Sequence, residues 1–548
     1  MVEGLNFVER IYQNMNSKKQ ECYASFVHND LTREWTWNDL FEHSNWIRKR
    51  LENVERGVVL IFLRGMEEMH ASFFGCILSG LIPSFMPCTS AKQDSSIYWK
   101  SHDELLRHIC PVAIITTIDV SNEMKEAGLD LSKTKIIQVE DMAPCEYLAS
   151  PDIRSRDEEV LLQHSSGTTG LKKGVVLTSK SVALHAERYS KNIGMSENDS
   201  VASWLPLYHD MGLMACMLMP AYCGIPIVQM DPFHWVSKPS EFLRIISKHK
   251  ATFAWMPNFA FEHYSNLESI FPEKWDLSSI KSIISCSEVC KSDTIRKFVE
   301  SYQPWGISPN SVQACYAMAE VVFAVTQSDC KHTLNMVCVN PDRLSIGSVV
   351  EMVEIGKELV SCGKDIPGIE TVVMDHRRVM QDEGVVGEIG VKGDYVFEGY
   401  HRMGDLTKSR FEGEVFLTND VGFKLNGDLY VLGRKDDMII IQGRNVYAHE
   451  VESLLSSING LKRGRNVVFG VDDERSGSQG MVVVSEKAPD WAGSERDARD
   501  EIRSMIESSI GVVPKAIKIV DAGWLSKTSS GKISRKENKR KFLREFIS

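Results

Sequence analysis

The sequence predicts an α/β fold, with a large N-terminal domain of layered sheets and helices that carries a small β subdomain, and a small mobile α+β C-terminal domain. Apolar runs of strand length alternate with helical patterns from Gly57 onward. Past about residue 327 the runs become short and alternating, with Gly- and Asp-rich turns, and a compact piece with a basic tail follows Asp436. The chain has 548 residues, 43% of them hydrophobic, which is more than one core needs.

The N-terminal part contains apolar runs separated by helical patterns. Continuous β-branched runs of this kind are typical of strands buried on both faces of a mostly parallel sheet. Strands are predicted near residues 58–63, 112–115, 201–205, 225–228, 252–255 and 280–284, and helices near residues 66–81, 179–192 and 210–222. The window 71–88 is broken by Gly75, Gly80 and Pro83, so it predicts a buried helix running into a turn and no membrane span.

The C-terminal part divides at a turn-rich stretch. Alternating runs at 387–391 and 427–431 predict a β subdomain at about 327–432. We place the domain boundary between Thr418 and Asp437. This predicts an N-terminal domain of residues 1–432 and a C-terminal domain of residues 433–548.

Composition excludes several classes of protein. Asp and Glu (74) outnumber Lys and Arg (63), giving a formal charge of -11, which argues against nucleic acid as a main partner. The thirteen cysteines show no C-x-x-C pair and no zinc spacing, as expected for reduced thiols of a cytoplasmic protein. Charges and amides run through the first eighteen residues, so no signal peptide is expected.

One stretch, Gln163–Gly174, predicts an anion-binding loop. Four hydroxyls, three glycines and two lysines stand between the apolar runs 160–162 and 175–177. Backbone N–H groups, hydroxyls and ammonium groups in such a loop can converge on a phosphate chain. The spacing differs from a Walker loop, and the loop leads into a second strand as in a hairpin. A flexible surface loop of the same composition is the alternative.

Four further stretches carry polar groups suited to a nucleotide site. Glu320 follows a strand-like run and could hold magnesium against phosphates. Asp420 could bind ribose hydroxyls, Arg434 lies just before the proposed boundary, and Lys532 lies on a Ser- and Gly-rich loop near the C-terminus. Taken singly, Lys532 could be one more residue of a basic tail.

In this order, the five stretches resemble the adenylate-forming superfamily of acyl-CoA synthetases, peptide-synthetase adenylation domains and luciferases, over roughly residues 32–541. The resemblance implies an enzyme that uses ATP and Mg²⁺ to convert a carboxylic acid into an acyl-adenylate, with release of pyrophosphate.

The same resemblance implies roles for individual residues. The loop would bind the β- and γ-phosphates, with Mg²⁺ bound by Thr168 and Glu320. Tyr316 would stack on adenine, Asp420 and Arg434 would fix the ribose, and Lys532 would bridge the carboxylate and the α-phosphate. The full predicted ATP-binding set is Ser165, Ser166, Gly167, Thr168, Thr169, Gly170, Lys173, Ser287, Glu288, Tyr316, Ala317, Met318, Asp420 and Arg434.

For the second half-reaction, the resemblance implies rotation of the C-terminal domain about the hinge residue Asp436. Lys532 would then leave the site, and Gly443 and its neighbours would line a channel for a phosphopantetheine thiol. His209 would lie near the carboxylate in both states. A lone His beside Asp is often structural, so the alternative of a structural His209 stays open.

Within the superfamily, the chain looks most like the fatty acyl-AMP ligases. The segments 204–213, 257–260 and 360–364 match their pattern, and 326–359 is long enough to contain their insertion. In those relatives, the insertion limits domain movement and disfavours coenzyme A, so an acyl carrier protein would receive the acyl group. The alternatives are a ligase that uses free coenzyme A and a non-catalytic nucleotide-binding relative.

Departures from the family pattern concern the adenine and acyl sites. Relatives usually have Gly where this chain has Ala317 and Asn419. The predicted acyl pocket contains Tyr208, Trp255, Met256 and Phe259. Trp255 and Met256 stand where small residues are common in long-chain relatives, which favours a short or compact acid. The alternative is that both side chains pack into the core.

Overall fold

The computed structural model describes residues 6–29, 31–89, 95–147, 149–164, 173–268, 271, 274–441, 444–455, 458–473, 478–489, 491, 493–527 and 533–546. The helices are α1 (Phe7–Ser17), α2 (Trp37–Leu51), α3 (Met66–Ile77), α4 (Ser95–Ile109), α5 (Ile118–Glu126), α6 (Ser179–Asn192), α7 (Met219–Cys223), α8 (Pro232–Ser237), α9 (Pro239–His249), α10 (Asn258–Leu267), α11 (Ser292–Tyr302), α12 (Gly404–Ser409), α13 (Ala448–Leu454), α14 (Glu495–Ile510) and α15 (Arg535–Phe546).

The strands of the first half are β1 (Cys22–His28), β2 (Leu31–Thr36), β3 (Val58–Phe62), β4 (Ile82–Phe85), β5 (Ala113–Thr116), β6 (Lys135–Gln138), β7 (Glu159–His164), β8 (Gly174–Thr178), β9 (Val201–Ser203), β10 (Ile227–Met230), β11 (Phe253–Met256), β12 (Ser282–Ser285), β13 (Val312–Ala317) and β14 (Ala324–Gln327). Those of the second half are β15 (Met336–Val339), β16 (Lys357–Val360), β17 (Lys364–Asp365), β18 (Ile369–Met374), β19 (Gly387–Gly393), β20 (Gly399–Tyr400), β21 (Phe411–Glu412), β22 (Val415–Leu425), β23 (Asp428–Arg434), β24 (Met438–Ile441), β25 (Arg444–Tyr447), β26 (Leu461–Asp473), β27 (Ser478–Lys487) and β28 (Ala516–Val520).

A nine-stranded sheet in the order β17-β14-β13-β12-β11-β9-β10-β1-β2 forms the centre of the large domain. The strands from β13 to β1 in this order run parallel. Strands β9, β10, β11 and β12 are buried along their whole length, as their largely apolar sequences predict. The parallel direction brings the carboxyl ends of these strands to one edge, the usual place for a ligand in an open α/β sheet.

Two smaller sheets complete the first half of the chain. Strands β4-β3-β5-β6 form a parallel sheet, and β20-β8-β7 form an antiparallel one. Side chains of β8 alternate between two cores, with Val175 and Leu177 in the main core and Val176 in the core of the four-stranded sheet. The hairpin of β7 and β8 is therefore packed on both faces.

Most predicted elements are confirmed, with two local differences. The segment 71–88 contains the end of α3, a turn and then β4, a strand that the sequence analysis had assigned to the turn. The predicted helix near 210–222 is a π-helical segment, Met211–Leu218, followed by α7. Pro220, at the start of α7, cannot donate a backbone hydrogen bond, which favours a change of helical winding at this point.

The β subdomain contains β18-β19-β22-β21, with β23 paired to β22. Strands β15 and β16 form a separate antiparallel pair within the predicted insertion, residues 326–359, and the side chain of Glu358 in β16 pairs with Arg296 of α11. The backbone N–H groups of Gly347 and Val350 donate to the carbonyls of Val386 and Gly384, each at 2.7 Å, so the predicted insertion is fixed to the large domain by both backbone and side-chain contacts.

Most of the C-terminal apolar residues form their own cores. Ile439, Val468 and Ile502 belong to one apolar cluster and Val467, Val484 and Phe542 to another, whereas Leu432 packs in the β subdomain together with Tyr447, which reaches into it from the C-terminal side. This change of core between Leu432 and Ile439 supports the proposed boundary, which stays a prediction. Among the described residues, no helix is long and apolar enough to cross a membrane.

Candidate functional site

The predicted phosphate loop is closed by a paired stem. His164 of β7 and Gly174 of β8 are partners in an antiparallel ladder, as the hairpin pattern predicts. On its other side β8 pairs with β20, and just after β20 His401 donates its backbone N–H to the Gly174 carbonyl at 2.8 Å. The loop residues lie outside the described residues, so their assignments stay predictions: Ser165, Ser166, Gly167, Thr168, Thr169 and Gly170.

Lys173 and Glu320 meet at the ring of Tyr400. The Lys173 ammonium lies 5.1 Å from the ring centroid of Tyr400, whose hydroxyl donates to Glu320 Oε1 at 2.7 Å. Burial lowers the pKa of Lys173, Arg410 and Arg434 lower it further, and Glu320 opposes them. A partly buried cation surrounded by other cations is electrostatically suited to a polyanion such as a triphosphate.

The backbone around Glu320 is tightly turned. Residues 319–321 form a single 3₁₀ turn, and Val322 follows with φ of 64°, a left-handed conformation that costs energy for a β-branched residue. Hydrogen bonds from Met318 N to Phe323 O at 2.8 Å and from Phe397 N to Glu320 O at 2.8 Å hold this turn. Strain maintained next to a charged side chain is typical of functional sites.

Glu320 fits the magnesium role predicted for it. Its Oε1 accepts one hydrogen bond from Tyr400, and no partner among the described residues occupies Oε2. Carboxylate oxygens are the ligands that Mg²⁺ prefers, and such sites use one or two carboxylates together with substrate phosphates. Among the residues that the structure describes, no three acidic, His or Cys side chains form a metal cluster.

Three side chains form the predicted adenine and ribose site. The Tyr316 hydroxyl donates to Asp420 Oδ2 at 2.6 Å, and Arg434 Nε donates to Asp420 Oδ1 at 3.3 Å. Burial raises the pKa of Asp420, and the Arg434 guanidinium opposes that rise. The structure thus brings together three predicted residues from β13, β22 and β23.

The two glycine replacements are explained by the backbone. Asn419 has φ of 68°, a left-handed conformation that Asn tolerates far better than most residues, and its N–H donates to Glu388 Oε1 at 3.2 Å. Ala317 lies in β13, paired with Ala324, where a side chain is accepted without strain. Neither replacement therefore requires a displaced backbone.

The segment after β12 lies beside the start of α10. Ser287 has φ of 70°, and the Glu288 carboxylate accepts the Phe259 N–H at 3.0 Å. Met318 is half-buried at the end of the neighbouring strand β13. The roles of Ser287, Glu288 and Met318 in binding ATP stay predictions.

His209 is held by its neighbour. Its Nδ1 lies 2.6 Å from Asp210 Oδ1, which orients the ring and leaves Nε2 without a hydrogen bond to the described residues. Gly212 permits this tight segment because a Cβ there would lie 2.4 Å from the carbonyl oxygen of Pro206. Gln163 of β7 donates to the Tyr208 carbonyl at 3.3 Å and so joins the stem to this segment. The catalytic role of His209 stays a prediction.

Three residues of the predicted acyl pocket differ in exposure. Trp255 is fully buried, and its indole N–H donates to the Tyr189 hydroxyl of α6 at 3.1 Å. Met256 is also buried, whereas 47% of Phe259 is exposed. Trp255 and Met256 both pack in the main apolar core, as the alternative of core packing predicts. A role of either residue in lining the acyl pocket stays a prediction.

The sequence analysis missed an aromatic pair at the same edge. Trp204 follows β9 and Trp235 follows β10, and their rings stack with centroids 3.7 Å apart and planes within 4°. Phe259, after β11, lies edge-on to both. The order of the strand ends could have indicated this cluster, because β10, β9 and β11 are neighbours in the sheet.

The C-terminal loop that carries Lys532 is anchored at both ends. Lys527 and Ile533 form an antiparallel bridge, and the Asn538 amide donates to the Ser526 carbonyl at 2.9 Å. Lys532 and Gly443 lie outside the described residues. Asp436, the predicted hinge, lies in the 3₁₀ turn Lys435–Asp437 between β23 and β24.

Comparisons with known proteins find relatives that match this chain along most of its length. The chain is 28% identical over 525 residues to the medium-chain-fatty-acid–[acyl-carrier-protein] ligase JamA of Moorena producens, covering 91% of this chain and 87% of that protein. It is 28% identical over 527 residues to a 4-hydroxyphenylalkanoate adenylyltransferase of Mycobacterium tuberculosis, covering 90% of this chain and 83% of that protein.

Solved structures show the same fold. A fatty acyl-adenylate ligase, from work on the E. coli and L. pneumophila enzymes, superposes with a TM-score of 0.90 at 23% identity and covers 100% of this chain and 99% of its own. An adenylation–carrier structure of McyG with phenylalanyl-adenylate has a TM-score of 0.87 at 22% identity, covering 99% and 84%. The model of the family described as AMP-binding enzyme matches residues 14–401, and the chain therefore belongs to that family.

Proposed function

We propose that this protein is an ATP-dependent acyl-AMP ligase that activates a carboxylic acid as its adenylate, releases pyrophosphate and transfers the acyl group to the phosphopantetheine thiol of an acyl carrier protein. The observation that carries this proposal is the Tyr316–Asp420–Arg434 cluster beside the Lys173–Tyr400–Glu320 cluster, at the carboxyl edge of the parallel sheet. The names of several relatives support the reaction class.

In the proposed mechanism, Asp420 and Arg434 orient the ribose, and Tyr316 supports adenine. Lys173 and the hydroxyl-rich loop bind the phosphates. Mg²⁺, held by Glu320 and Thr168, would neutralise phosphate charge. Lys532 donates to the carboxylate and the α-phosphate, so that the attacking oxygen is positioned in line with the departing pyrophosphate.

The proposed acid is compact, either a medium-chain aliphatic acid or one that ends in a ring. The ring of Phe259, 47% exposed, lies edge-on to the stacked indoles of Trp204 and Trp235, which are buried beneath it, so Phe259 supplies a rigidly supported apolar surface at the strand ends. The names of two relatives refer to such acids. His209 Nε2 is available to orient the carboxylate.

The carrier protein as acceptor is supported by contacts of the insertion. Lys357 of β16 pairs with Glu450 of α13, so the insertion holds the C-terminal domain as well as the large domain. A domain held in this way has less freedom to form a separate coenzyme A site. We place the reaction in the reducing cytoplasm, where thirteen free cysteines are expected to persist.

The test is acid-dependent exchange of labelled pyrophosphate into ATP across aliphatic, aromatic and amino acids. We expect exchange with compact acids and its loss in Lys532→Ala, because Lys532 is the residue proposed to bridge the carboxylate and the α-phosphate. Lys539→Ala, at a half-buried position of α15 whose side chain makes no hydrogen bond or ion pair with the described residues, is the matched control. Exchange that persists in Lys532→Ala contradicts the mechanism, and nucleotide binding without exchange favours the non-catalytic alternative.

The acceptor is tested separately. The adenylate formed by the enzyme is offered coenzyme A and a holo-carrier protein at equal thiol concentration, and the thioester products are separated by mass. We expect the carrier to be acylated faster by at least about tenfold, which corresponds to about 1.4 kcal/mol. Equal or faster loading of coenzyme A overturns the carrier assignment.

A further inference from the structure

The turn that joins the two domains is held from both sides. Lys435, its first residue, places its ammonium 2.9 Å from Glu388 Oε2 of β19 in the large domain. The other oxygen of Glu388 accepts the Asn419 N–H, so this carboxylate is fixed within the β subdomain. We call the Lys435–Glu388 pair the core clamp.

The last residue of the turn is held by the C-terminal domain. Asp437 Oδ2 accepts from Arg535 Nη1 at 2.5 Å, and Arg535 also donates to both carboxylate oxygens of Glu452, at 3.0 and 2.5 Å. About a fifth of each of these three side chains is exposed. Partly buried, charge-assisted hydrogen bonds of this kind fix geometry. We call the Asp437–Arg535 pair the lid clamp.

Arg535 also follows the predicted catalytic lysine, Lys532, closely along the chain. It is the first residue of α15, directly after the loop that contains Lys532, and Ser534 just before it donates its backbone N–H to Ser526 at 3.1 Å. A displacement of Asp437 is therefore transmitted through one side chain to the base of this loop. The lid clamp thus ties the turn to the start of α15.

Asp436 lies between the two clamps. It is exposed, and among the described residues its carboxylate makes no hydrogen bond or ion pair. Rotation about its backbone dihedrals leaves both clamps intact, whereas rotation at either neighbour pulls a charged pair apart. Hinges are a few residues that absorb large changes of φ and ψ, and here the flanking pairs select which residue does so.

We propose that Lys435 and Arg535 are positioning residues that confine the domain rotation to Asp436 and thereby return Lys532 to one position over the substrate in each cycle. This inference rests on the proposed function. Without the lid clamp, the rotation spreads into residues 437 and 438, and Lys532 reaches the substrate in many orientations. Adenylation then slows, although substrates still bind.

The main test compares the two carboxylates that share Arg535. Asp437→Asn opens the lid clamp and keeps the Arg535–Glu452 pair, whereas Glu452→Gln keeps the lid clamp and removes the partner inside the C-terminal domain. For Asp437→Asn we expect kcat for pyrophosphate exchange to fall about tenfold, with KM for ATP and acid changed less than twofold. For Glu452→Gln we expect a lower Tm and exchange within about twofold of wild type.

A second measurement does not depend on the reaction. The Met438 N–H donates to the Lys435 carbonyl and closes the turn, so its hydrogen exchange reports on the hinge. We expect exchange in a peptide covering 435–441 to quicken at least about fivefold in Asp437→Asn and in Lys435→Met. Lys392→Met, which removes a surface pair with Glu370 in the same sheet, is the matched control and leaves this peptide unchanged.

The outcomes separate the two proposals. Equal loss of kcat in Asp437→Asn and Glu452→Gln means that Arg535 only stabilises the C-terminal domain, and the positioning role is then wrong. A raised KM for ATP with unchanged kcat in Asp437→Asn assigns Asp437 to nucleotide binding and also overturns it. If wild-type protein shows no exchange with any acid, the proposed function fails, and the hydrogen-exchange comparison still tests the clamps.

Discussion

The carboxyl edge of the large sheet and the surface on which the C-terminal domain rests are held by different forces. At the sheet edge, side chains such as Trp255 and Tyr316 are buried in an apolar core, and polar groups are added on top of it. The C-terminal domain meets the large domain through polar and charged pairs, including Lys357–Glu450 and Lys291–Ser453, and through the ring of Tyr447, which packs in the core of the β subdomain. Apolar burial is costly to reverse, whereas exposed ion pairs are not. The sheet edge is therefore expected to keep its shape, whereas the interface between the two domains is expected to open.

The largest effect is expected in the buried region. Trp255→Ala removes a fully buried indole and its bond to Tyr189, and should lower the free energy of unfolding by about 3–5 kcal/mol. Thermal unfolding followed by circular dichroism measures this. Trp255→Phe keeps most of the volume and is the control. A loss below about 1 kcal/mol for the alanine variant would contradict the core assignment and return Trp255 to the acyl pocket.

A smaller effect is expected at the polar groups of the sheet edge. Asp420→Asn removes the carboxylate shared by Tyr316 and Arg434, and should weaken ATP binding about 30- to 100-fold, because a charge-assisted hydrogen bond to ribose is lost. Calorimetric titration of ATP measures it. Asp405→Asn, in the exposed helix α12, is the control, and equal affinity in both variants would disprove the ribose site.

The domain interface should respond to pH through His449. Burial lowers the pKa of His449 to about 3, with Lys357, Arg535 and Lys291 contributing, and the ring lies against Gly433 of β23, a strand of the β-subdomain sheet. A depressed pKa favours the docked state fully above the ordinary value near 6.5, and this contribution is lost as the pH falls below it. At pH 5.5, docking should weaken about tenfold, since one pKa unit corresponds to a factor of ten.

Hydrogen exchange of the peptide containing Tyr447, compared between pH 7.5 and 5.5 after correction for intrinsic rates, measures the docking. His449→Asn carries no titratable ring, so it should flatten the dependence. A dependence of equal size in that variant would show that another group titrates.

The smallest effect is expected at the ion pair itself. Lys357→Met should weaken docking about two- to fivefold, within the 0.5–1 kcal/mol typical of partly exposed pairs. The same hydrogen-exchange peptide reports it, at low and high salt. Salt should shift wild type toward the variant and leave the variant unchanged. A loss above about 3 kcal/mol would show that this interface resembles the buried core.

Sequence patterns predicted the two regions unequally. Uninterrupted apolar runs gave the buried strands β9, β11 and β12 to within two residues, because burial on both faces leaves a strong signal. The cluster of Tyr316, Asp420 and Arg434 followed from a family resemblance, since no local pattern shows that residues about a hundred positions apart meet. Tyr400 and Trp235 were missed because nothing in their immediate sequence distinguishes them from core aromatics. The clamps at Lys435 and Arg535 depend on partners that only the folded chain supplies.

The stem of the phosphate loop sets a limit on how this enzyme can change. Because Val175 and Leu177 face one core and Val176 faces another, a slip of the β8 pairing by a single residue would exchange their environments. An extra residue in the loop therefore cannot be accommodated by a shift in the pairing of the strands. It would instead lengthen the loop itself, which is proposed to bind the triphosphate. We therefore expect variation in nucleotide affinity to arise from replacements of residues in the loop. The length of the loop should be among the least variable features of the protein.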